Sequence, residues 1–224
     1  MITIGVTGGV GSGKSEILRY LQSEYQCRIL MSDNAAKDLE LPGGVLYEPL
    51  ISLLDEYTPE GDHEPLLLET GEINKAEMAR RIFGSKELLD RVNKLVHPAV
   101  NRYILDEIER EREAGEAEFF VLESALLVEN GYDRILDSMW YIYCSEEKRF
   151  ERLKASRGYS DEKIRSIIGN QVSDEEFRKA CDVIIDNSGD LTAEDGALRQ
   201  VDRAIRDLRK KAENKERSIK QNRN

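Results

Sequence analysis

Cysteine and histidine are scarce in this sequence, which contains three cysteines and two histidines among 224 residues. Cys27, Cys144 and Cys181 lie far apart and form no C-x-x-C pair, a spacing that favours reduced thiols in a cytoplasmic protein over disulfides. His63 and His97 have no cysteine near them, which argues against a zinc site. The sequence therefore carries no mark of a disulfide-stapled or zinc-binding fold.

The sequence also lacks an excess of basic over acidic residues and has no long apolar run. A net charge of −11 argues against a nucleic acid or an anionic membrane as partner, because both are held by a basic surface. No apolar run approaches the ~20 residues of a membrane helix, and a strand-like run follows Met1 without a basic leader. We expect a cytoplasmic monomer or weak homo-oligomer, in which a local positive pocket can still bind a small anion.

Short apolar runs alternate with amphipathic helical patterns along the chain. Near-continuous apolar character is typical of strands buried on both faces of a parallel sheet. The runs are Ile2 to Val6, Cys27 to Met31, Phe119 to Leu122, Met139 to Tyr143 and Val183 to Ile185. The alternation predicts an α/β fold with three layers, in which helices cover both faces of a central parallel five-stranded sheet.

The domain organisation follows from where strand candidates are missing. We expect one domain over 1–208, with a core formed by 1–57 and 118–208. Residues 74–117 show only helical spacing, so a helical substrate-binding lobe over about 58–117 is predicted between the second and third strands. It begins in an irregular connector rich in proline and glycine, where His63 is expected in an exposed loop.

The last residues, 209–224, are basic and nearly devoid of apolar side chains. This composition predicts a solvated, disordered tail, and a contact with polyphosphate or with an acidic partner is the alternative.

A glycine-rich stretch, GGVGSGKS at 8–15, fits the pattern G-x-x-x-x-G-K-[ST] between a strand and an amphipathic helix. Glycines let successive backbone N–H groups turn inward as an anion nest at the positive end of the next helix. Lys14 is expected to reach the β- and γ-phosphates of ATP, and the Ser15 hydroxyl to hold Mg²⁺. The predicted ATP-binding residues of the loop are Gly9, Val10, Gly11, Ser12, Gly13, Lys14, Ser15 and Glu16.

Two acidic residues follow strand candidates, where open α/β sheets bind their ligands. Asp33 comes after the second run and is predicted to act on an acceptor hydroxyl; capping the next helix is the alternative. Glu123 ends the third run and is expected to order Mg²⁺ through water, or else to make a structural hydrogen bond to the loop.

Arginines crowd the segment 149–171, which has a glycine between two helical patterns. Several arginines around such a turn are typical of a helical lid that closes over phosphates, although solvated helix faces explain any single one. The cluster comprises Arg149, Arg152, Arg157 and Arg165, and we assign catalytic roles to Arg157 and Arg152 beside Lys14 and Asp33.

Together these motifs resemble the dephospho-coenzyme A kinase family. The resemblance rests on GVTGGVGSGKS at 5–15, Asp33 with Ala36-Lys37, Pro42-Gly43, GEINK at 71–75, LVHPAV at 95–100, ESALLVE at 123–129, Gln171 and CDVIIDNSG at 181–189. It implies an adenylate-kinase-like P-loop kinase fold in which ATP phosphorylates the ribose 3′-hydroxyl of dephospho-CoA. It also places Asn187 near adenine and assigns Asp33, Lys37, Lys75, His97 and Glu123 to the substrate; for His97, a role at a helix start is the alternative.

The sequence departs from the family pattern at several positions. Met31-Ser32-Asp33 keeps one of two usual acids, and Lys37 stands where an arginine is usual. Ala125-Leu126-Leu127 replaces Pro-Leu-Leu, with Glu123 in place of Asp. The expected lid arginines fall on Ser156 and Ile167, close to Arg157 and Arg165.

Three other functions share the glycine-rich loop. A nucleoside monophosphate kinase or another small-molecule kinase would also have the lid, but not the His-Pro and DNSG segments. A GTPase needs N-K-x-D after a late strand, and the closest match, Asn74-Lys75-Ala76-Glu77, lies in the predicted helical lobe. A noncatalytic ATP-binding protein is the third alternative.

Overall fold

Five parallel-type strands form the sheet of the computed structural model, which describes residues 1–57, 64–128 and 131–221. The strands are β1 (Ile2–Thr7), β2 (Cys27–Met31), β3 (Phe119–Glu123), β4 (Ser138–Tyr143) and β5 (Val183–Asp186). Their spatial order is β2-β3-β1-β4-β5, and β1 pairs in parallel with both β3 and β4, as β4 does with β5. All five predicted strands are confirmed.

Helices connect the strands. They are α1 (Lys14–Glu24), α2 (Ser32–Leu39), α3 (Tyr47–Asp55), α4 (Lys75–Gly84), α5 (Lys86–Ala114), α6 (Glu146–Arg157), α7 (Asp161–Gly169), α8 (Asp174–Ala180) and α9 (Ala197–Gln221). Strands alternate with helices as predicted, and the α/β class with a central five-stranded sheet is confirmed.

One face of the sheet packs against α1 and α9. Alternate strand residues face this layer, and Ile4, Val6 and Trp140 among them are fully buried. The helices contribute Ile17, Leu18, Leu21, Val201, Ala204, Ile205 and Leu208 to the same cluster. Because side chains alternate between the two faces of a strand, the continuous apolar runs supply both layers of core at once.

The opposite face is covered by α8 and by the segment after β3. The ring of Tyr141 on β4 stacks on Phe177 of α8, with centroids 4.6 Å apart. Gly5 leaves room on β1, because a Cβ there would lie 2.7 Å from Leu136 Cδ1 and 2.9 Å from Leu127 Cδ1. Burial of the sheet on both faces gives the glycine-rich loop a rigid support.

The chain divides into two compact units, Met1–Ile29 with Ala114–Asn224, and Leu30–Glu113. The predicted lobe boundary at residue 58 is therefore wrong, because the helical unit already begins at Leu30. The reason is packing: Leu50, Leu53 and Leu54 of α3 share a core with residues of α4, α5 and the connector. Their partners in that core are Leu66, Ile73, Ile82, Leu88 and Val92.

A buried ionic network stabilises the helical unit. Glu77 on α4 is 2% exposed and accepts hydrogen bonds from Arg80 Nε (2.8 Å) and Arg81 Nε (2.9 Å). Arg81, 5% exposed, also donates from Nη1 to the Leu54 carbonyl at 2.9 Å and so connects α4 to α3. A buried charge needs such partners, since an unpaired one is costly.

Helix α9 extends through most of the predicted tail. The prediction of a disordered segment from residue 209 is wrong for 209–221, which continue the helix, while 222–224 lie outside the described residues. Lysine, arginine, glutamate and alanine favour helix without needing a buried face. The Arg209 guanidinium also contacts the Glu118 carboxylate with two hydrogen bonds of 2.6 Å.

The N-terminal half of α9 is tied to α1. The hydroxyls of Tyr20 and Tyr25 both donate to Asp202 Oδ1 at 2.7 Å. Burial and the hydrogen bond to Asp202 raise the pKa of Tyr20 to about 12.

Three further sequence expectations concern the cysteines, membrane-spanning helices and His63. The three cysteines are free thiols, as predicted, and burial raises the pKa of Cys27 to about 11. None of the described helices combines the length and apolar character that crossing a bilayer requires. His63 lies outside the described residues.

Candidate active site

The glycine-rich loop lies between β1 and α1. Gly8, Gly11 and Gly13 have φ angles of 149°, 83° and 86°, which other residues rarely adopt. A Cβ on Gly8 would also lie 2.6 Å from the Ile142 carbonyl oxygen. The loop closes with a hydrogen bond from Ser12 N–H to the Gly9 carbonyl (3.1 Å), and α1 begins at Lys14. The loop thus presents the positive end of an eleven-residue helix, an anion-binding arrangement.

Lys14 and Glu123 meet beside this loop. Lys14 Nζ donates to the Gly8 carbonyl at 2.7 Å and lies 3.8 Å from Glu123 Oε1. Glu123 is brought there by the sheet register, in which it pairs with Val6 of β1. Both side chains are largely buried, at 17% and 12% exposure, so their charges are weakly screened. Ser15, the next residue of α1, is exposed.

Arg152 and Asn187 hold the other side of the loop. Asn187 Nδ2 donates to the Ser12 carbonyl at 2.8 Å, and Arg152 Nη1 donates to the same oxygen at 3.3 Å. Arg152 Nη2 donates to the Asn187 carbonyl at 3.0 Å. A Cβ on Gly13 would overlap the Asn187 amide, so this glycine is required by packing as well as by its φ angle.

Two buried oxygens at this point, Asn187 Oδ1 and Ser12 Oγ, have no hydrogen-bond partner among the described residues. Within that part of the chain, no group of three or more His, Cys, Asp or Glu is placed to hold a metal ion.

Arg149 and Gln171 contact the tip of the loop and are absent from the predicted set of site residues. Arg149 Nε donates to the Val10 carbonyl at 2.9 Å, and the Val10 N–H donates to Gln171 Oε1 at 3.2 Å. Arg149 Nη2 also donates to Gln171 Oε1. The sequence did contain a signal for Arg149: it lies three residues before Arg152, so both side chains share one face of α6.

Arg157 and Arg165 point elsewhere. Arg157 ends α6, is exposed, and lies with its guanidinium carbon 5.8 Å from the ring centroid of Tyr159. Its hydrogen bond lowers the pKa of Tyr159. Arg165 on α7 is exposed too. The segment 149–171 is two helices joined at Gly158, which has a φ of 60°.

Four of the five residues assigned to the acceptor lie in the helical unit, Leu30–Glu113, and the fifth, Glu123, lies in the sheet unit. Asp33 is the second residue of α2, whose N-cap is Met31, so the alternative in which Asp33 caps this helix is wrong. Asp33 and Lys37 are exposed and lie one helical turn apart. Lys75 begins α4 and forms an ion pair with Glu40.

His97 lies near the middle of α5, followed by Pro98 inside the same helix. The alternative role at a helix start is therefore wrong. The physical reason is that a helix of 29 residues tolerates one proline, which removes a single backbone N–H donor, when its other turns are packed.

Comparison with known proteins agrees with this geometry. The family model described as dephospho-CoA kinase matches residues 2–193, which include the loop, the helical unit and Asn187. A dephospho-CoA kinase from Carboxydothermus hydrogenoformans is 34% identical over 188 residues, covering 84% of this chain and 86% of that protein. The chain belongs to the dephospho-CoA kinase family.

Solved structures show the same fold. The protein TT1252 from Thermus thermophilus superposes with a TM-score of 0.71 at 29% identity, covering 91% of this chain and 95% of that one. A dephospho-CoA kinase from Campylobacter jejuni gives a TM-score of 0.58 at 19% identity, over 92% and 96% of the two chains. The family resemblance inferred from the motifs is confirmed.

Proposed function

We propose that this chain transfers the γ-phosphoryl group of ATP to the ribose 3′-hydroxyl of dephospho-CoA, yielding coenzyme A and ADP. The observation that carries the proposal is the family match over residues 2–193, within which the phosphate loop is intact in both sequence and geometry. The new bond joins the 3′-oxygen to phosphorus, the bond from phosphorus to the β-phosphate oxygen breaks, and the hydroxyl proton leaves.

The loop is the binding site that we assign to the triphosphate. Residues 9–16 offer backbone N–H groups, and Lys14 offers an ammonium that can exchange its contact with the Gly8 carbonyl for phosphate oxygens. Arg152 and Asn187 keep the Ser12 peptide in place, and Asn187 Oδ1 is an unsatisfied acceptor on the side assigned to adenine. Arg157 is assigned to the transferring phosphate, which its exposed position at the end of α6 permits.

Mg²⁺ would be held by the Ser15 hydroxyl and, through water, by Glu123. Both supply oxygen, the donor type that Mg²⁺ prefers, and Ser15 is exposed at the start of α1 while Glu123 lies beside Lys14. When bound, the ion neutralises charge on the phosphates.

For the acceptor, we assign Asp33 to orient the 3′-hydroxyl and take its proton. The supporting observations are its exposure and its place directly after β2, where helix capping does not engage it. Lys37, Lys75 and His97 are assigned to the substrate, and the exposed ammonium of Lys37 suits its anionic groups. We place the reaction in the cytoplasm, in keeping with three free thiols.

An acceptor assay tests the function. Purified protein with Mg-ATP should consume dephospho-CoA and produce coenzyme A. Chromatography measures both compounds, and ADP release is a second readout. Nucleoside monophosphates and GTP serve as the competing acceptor and donor. Turnover of a nucleoside monophosphate without coenzyme A formation would overturn the proposal in favour of the other kinase class.

A further inference from the structure

The tip of the phosphate loop is held by a closed ring of hydrogen bonds that the assigned roles do not use. The ring runs from the Val10 N–H to Gln171 Oε1, from Arg149 Nη2 to that same oxygen, and from Arg149 Nε back to the Val10 carbonyl. Both backbone groups of Val10 are therefore fixed by two side chains more than 130 residues away in sequence.

The position of Val10 explains why such a ring matters. Val10 lies between Gly9 and Gly11, and glycines on both sides leave its two peptide groups free to rotate. Ordering such a segment costs conformational entropy, which a bound phosphate has to offset unless the protein has already ordered it. The ring removes that freedom beforehand.

Gly9 supplies a second, independent observation. A Cβ on Gly9 would lie 2.5 Å from Arg149 Nη2 and 2.9 Å from Gln171 Oε1, so a methyl group here would enter the ring itself. Gly9 is also not among the glycines with positive φ, so its backbone conformation does not require glycine. The ring therefore gives a reason for glycine at this position that the backbone does not.

The two side chains also stand at the two ends of the helical pair. Arg149 lies in the first turns of α6, and Gln171 follows α7. Their hydrogen bonds to Val10 and to each other join these two ends, the base of the pair, to the loop. At the turn between the two helices, the Arg157 guanidinium lies against the ring of Tyr159. The base is thus a fixed point for the segment that we expect to act as a lid.

We propose that Arg149 and Gln171 are a positioning pair that holds the Val10 peptide groups in the nucleotide-binding conformation. The proposal rests on the proposed binding of ATP by this loop, but it does not depend on which acceptor is phosphorylated. Without the pair, the binding-competent loop is only one of several conformations. The apparent dissociation constant of the nucleotide then equals the intrinsic constant divided by the fraction of molecules in that conformation, so it rises.

Nucleotide titration is the first test. The variants Gln171→Leu, Arg149→Met and Gly9→Ala should each weaken ADP binding by ~10-fold in calorimetry, because each opens the same ring. The double variant Arg149→Met with Gln171→Leu should be no worse than ~2-fold beyond either single one, because the two side chains act as a unit. The controls are Lys148→Met and Asn170→Ala, the exposed neighbours of the pair, which should leave binding unchanged.

Two further readouts separate positioning from general destabilisation. In ¹⁵N-valine-labelled protein, the Val10 amide signal should move in all three single variants and stay unmoved in both controls. With dephospho-CoA as acceptor, the KM for ATP should rise while kcat at saturating ATP and the KM for the acceptor stay within ~2-fold.

Unchanged ADP affinity in Gln171→Leu and Gly9→Ala would overturn the positioning role while leaving coenzyme A formation intact. Strictly additive losses in the double variant would also overturn it, because they would mean two independent contacts. If Gln171→Leu fails to fold, Gly9→Ala and Arg149→Met decide the question. Absence of activity toward dephospho-CoA with the expected ADP results would reject the proposed acceptor and leave the pair standing.

Discussion

The two compact units differ in how their functional side chains are held. In the sheet unit, Lys14, Arg152 and Asn187 all hydrogen-bond to carbonyls of the loop or of each other, so the predicted nucleotide side is ordered by its own contacts. In the helical unit, Asp33 and Lys37 are exposed, and the buried polar network around Glu77 joins α4 to α3. The loop side is thus held by its own contacts, whereas Asp33 and Lys37, two of the residues assigned to the acceptor, are open to solvent.

The largest expected effect concerns the ordered side. Lys14→Met should reduce turnover by ~10³-fold, because a cation aimed at the developing phosphate charge is lost and nothing else in the loop replaces it. Steady-state coenzyme A formation at saturating substrates measures this, with Lys148→Met as the matched control on an exposed helix face. Turnover within tenfold of wild type would place the catalytic cation elsewhere.

The second prediction tests the open side. Asp33→Asn should lower kcat by ~10²-fold or more with unchanged ATP affinity, because the amide cannot take the hydroxyl proton. Kinetics combined with ATP titration measure both quantities. Asp38→Asn, another exposed acid of α2, is the control and should stay within ~2-fold. Full turnover in Asp33→Asn would remove this residue from the chemistry.

The packing network of the helical unit gives the third prediction. Glu77→Gln should lower the melting temperature by ~5–10 °C, because it removes the buried counter-charge of the Arg81 guanidinium and leaves only the exposed carboxylate of Asp55 beside it. Glu109→Gln breaks a solvent-exposed ion pair with Arg112 in the same unit and should shift it by ~1 °C or less. Equal shifts for both variants, seen by circular dichroism, would show that burial does not set the cost.

The same carboxylate predicts a pH dependence. Hydrogen bonds from Arg80 and Arg81 lower the pKa of Glu77 from 4.5 to about 2. Because the folded pKa lies below the unfolded one, this contribution to stability is fully present above pH 4.5 and is lost as the pH falls toward about 2. The melting-temperature difference between wild type and Glu77→Gln should therefore narrow over that interval; a constant difference would contradict the assignment.

The smallest effect is expected at α9. Arg209→Met removes two hydrogen bonds to Glu118, but both side chains are about 40% exposed, so solvent screens the pair. The methionine keeps apolar contact with Tyr25 and Phe119, over whose rings the guanidinium lies. We expect a fall of ~2 °C in melting temperature, and Arg217→Met, on the exposed end of α9, should cause none. A fall as large as that of Glu77→Gln would mean that exposure is a poor guide here.

Patterns that depend on local sequence were predicted well. The five strands follow from apolar runs, and the loop follows from glycines whose positive φ no other residue tolerates easily, as at Gly11 and Gly13. The prediction of a disordered tail is wrong because low hydropathy indicates only exposure, and an exposed segment rich in lysine and glutamate can still be helical. The alternative that Asp33 caps α2 is wrong because capping depends on where the helix begins to within one residue, and the sequence does not resolve that boundary.

Site residues divide along the same line. Lys14 and Ser15 were assigned from sequence because the motif fixes their positions relative to the loop. Arg149 and Gln171 were left out of the predicted site because their contact with Val10 spans about 140 and 160 residues, and several lid arginines were equally plausible. Arg152 contacts the loop and Arg157 does not, and this difference depends on which face of α6 is turned toward the loop.

By itself, the sequence determined the position of the glycine-rich loop, the order of strands along the chain and the family, because each is written in local spacing or in ordered motifs. Tertiary structure alone decided which distant side chains close on that loop, that Glu123 meets Lys14, and that the helical unit begins at Leu30. The physical reason is that hydrogen bonds and core packing depend on distance in space, which local sequence constrains only within a helix turn or a strand pair.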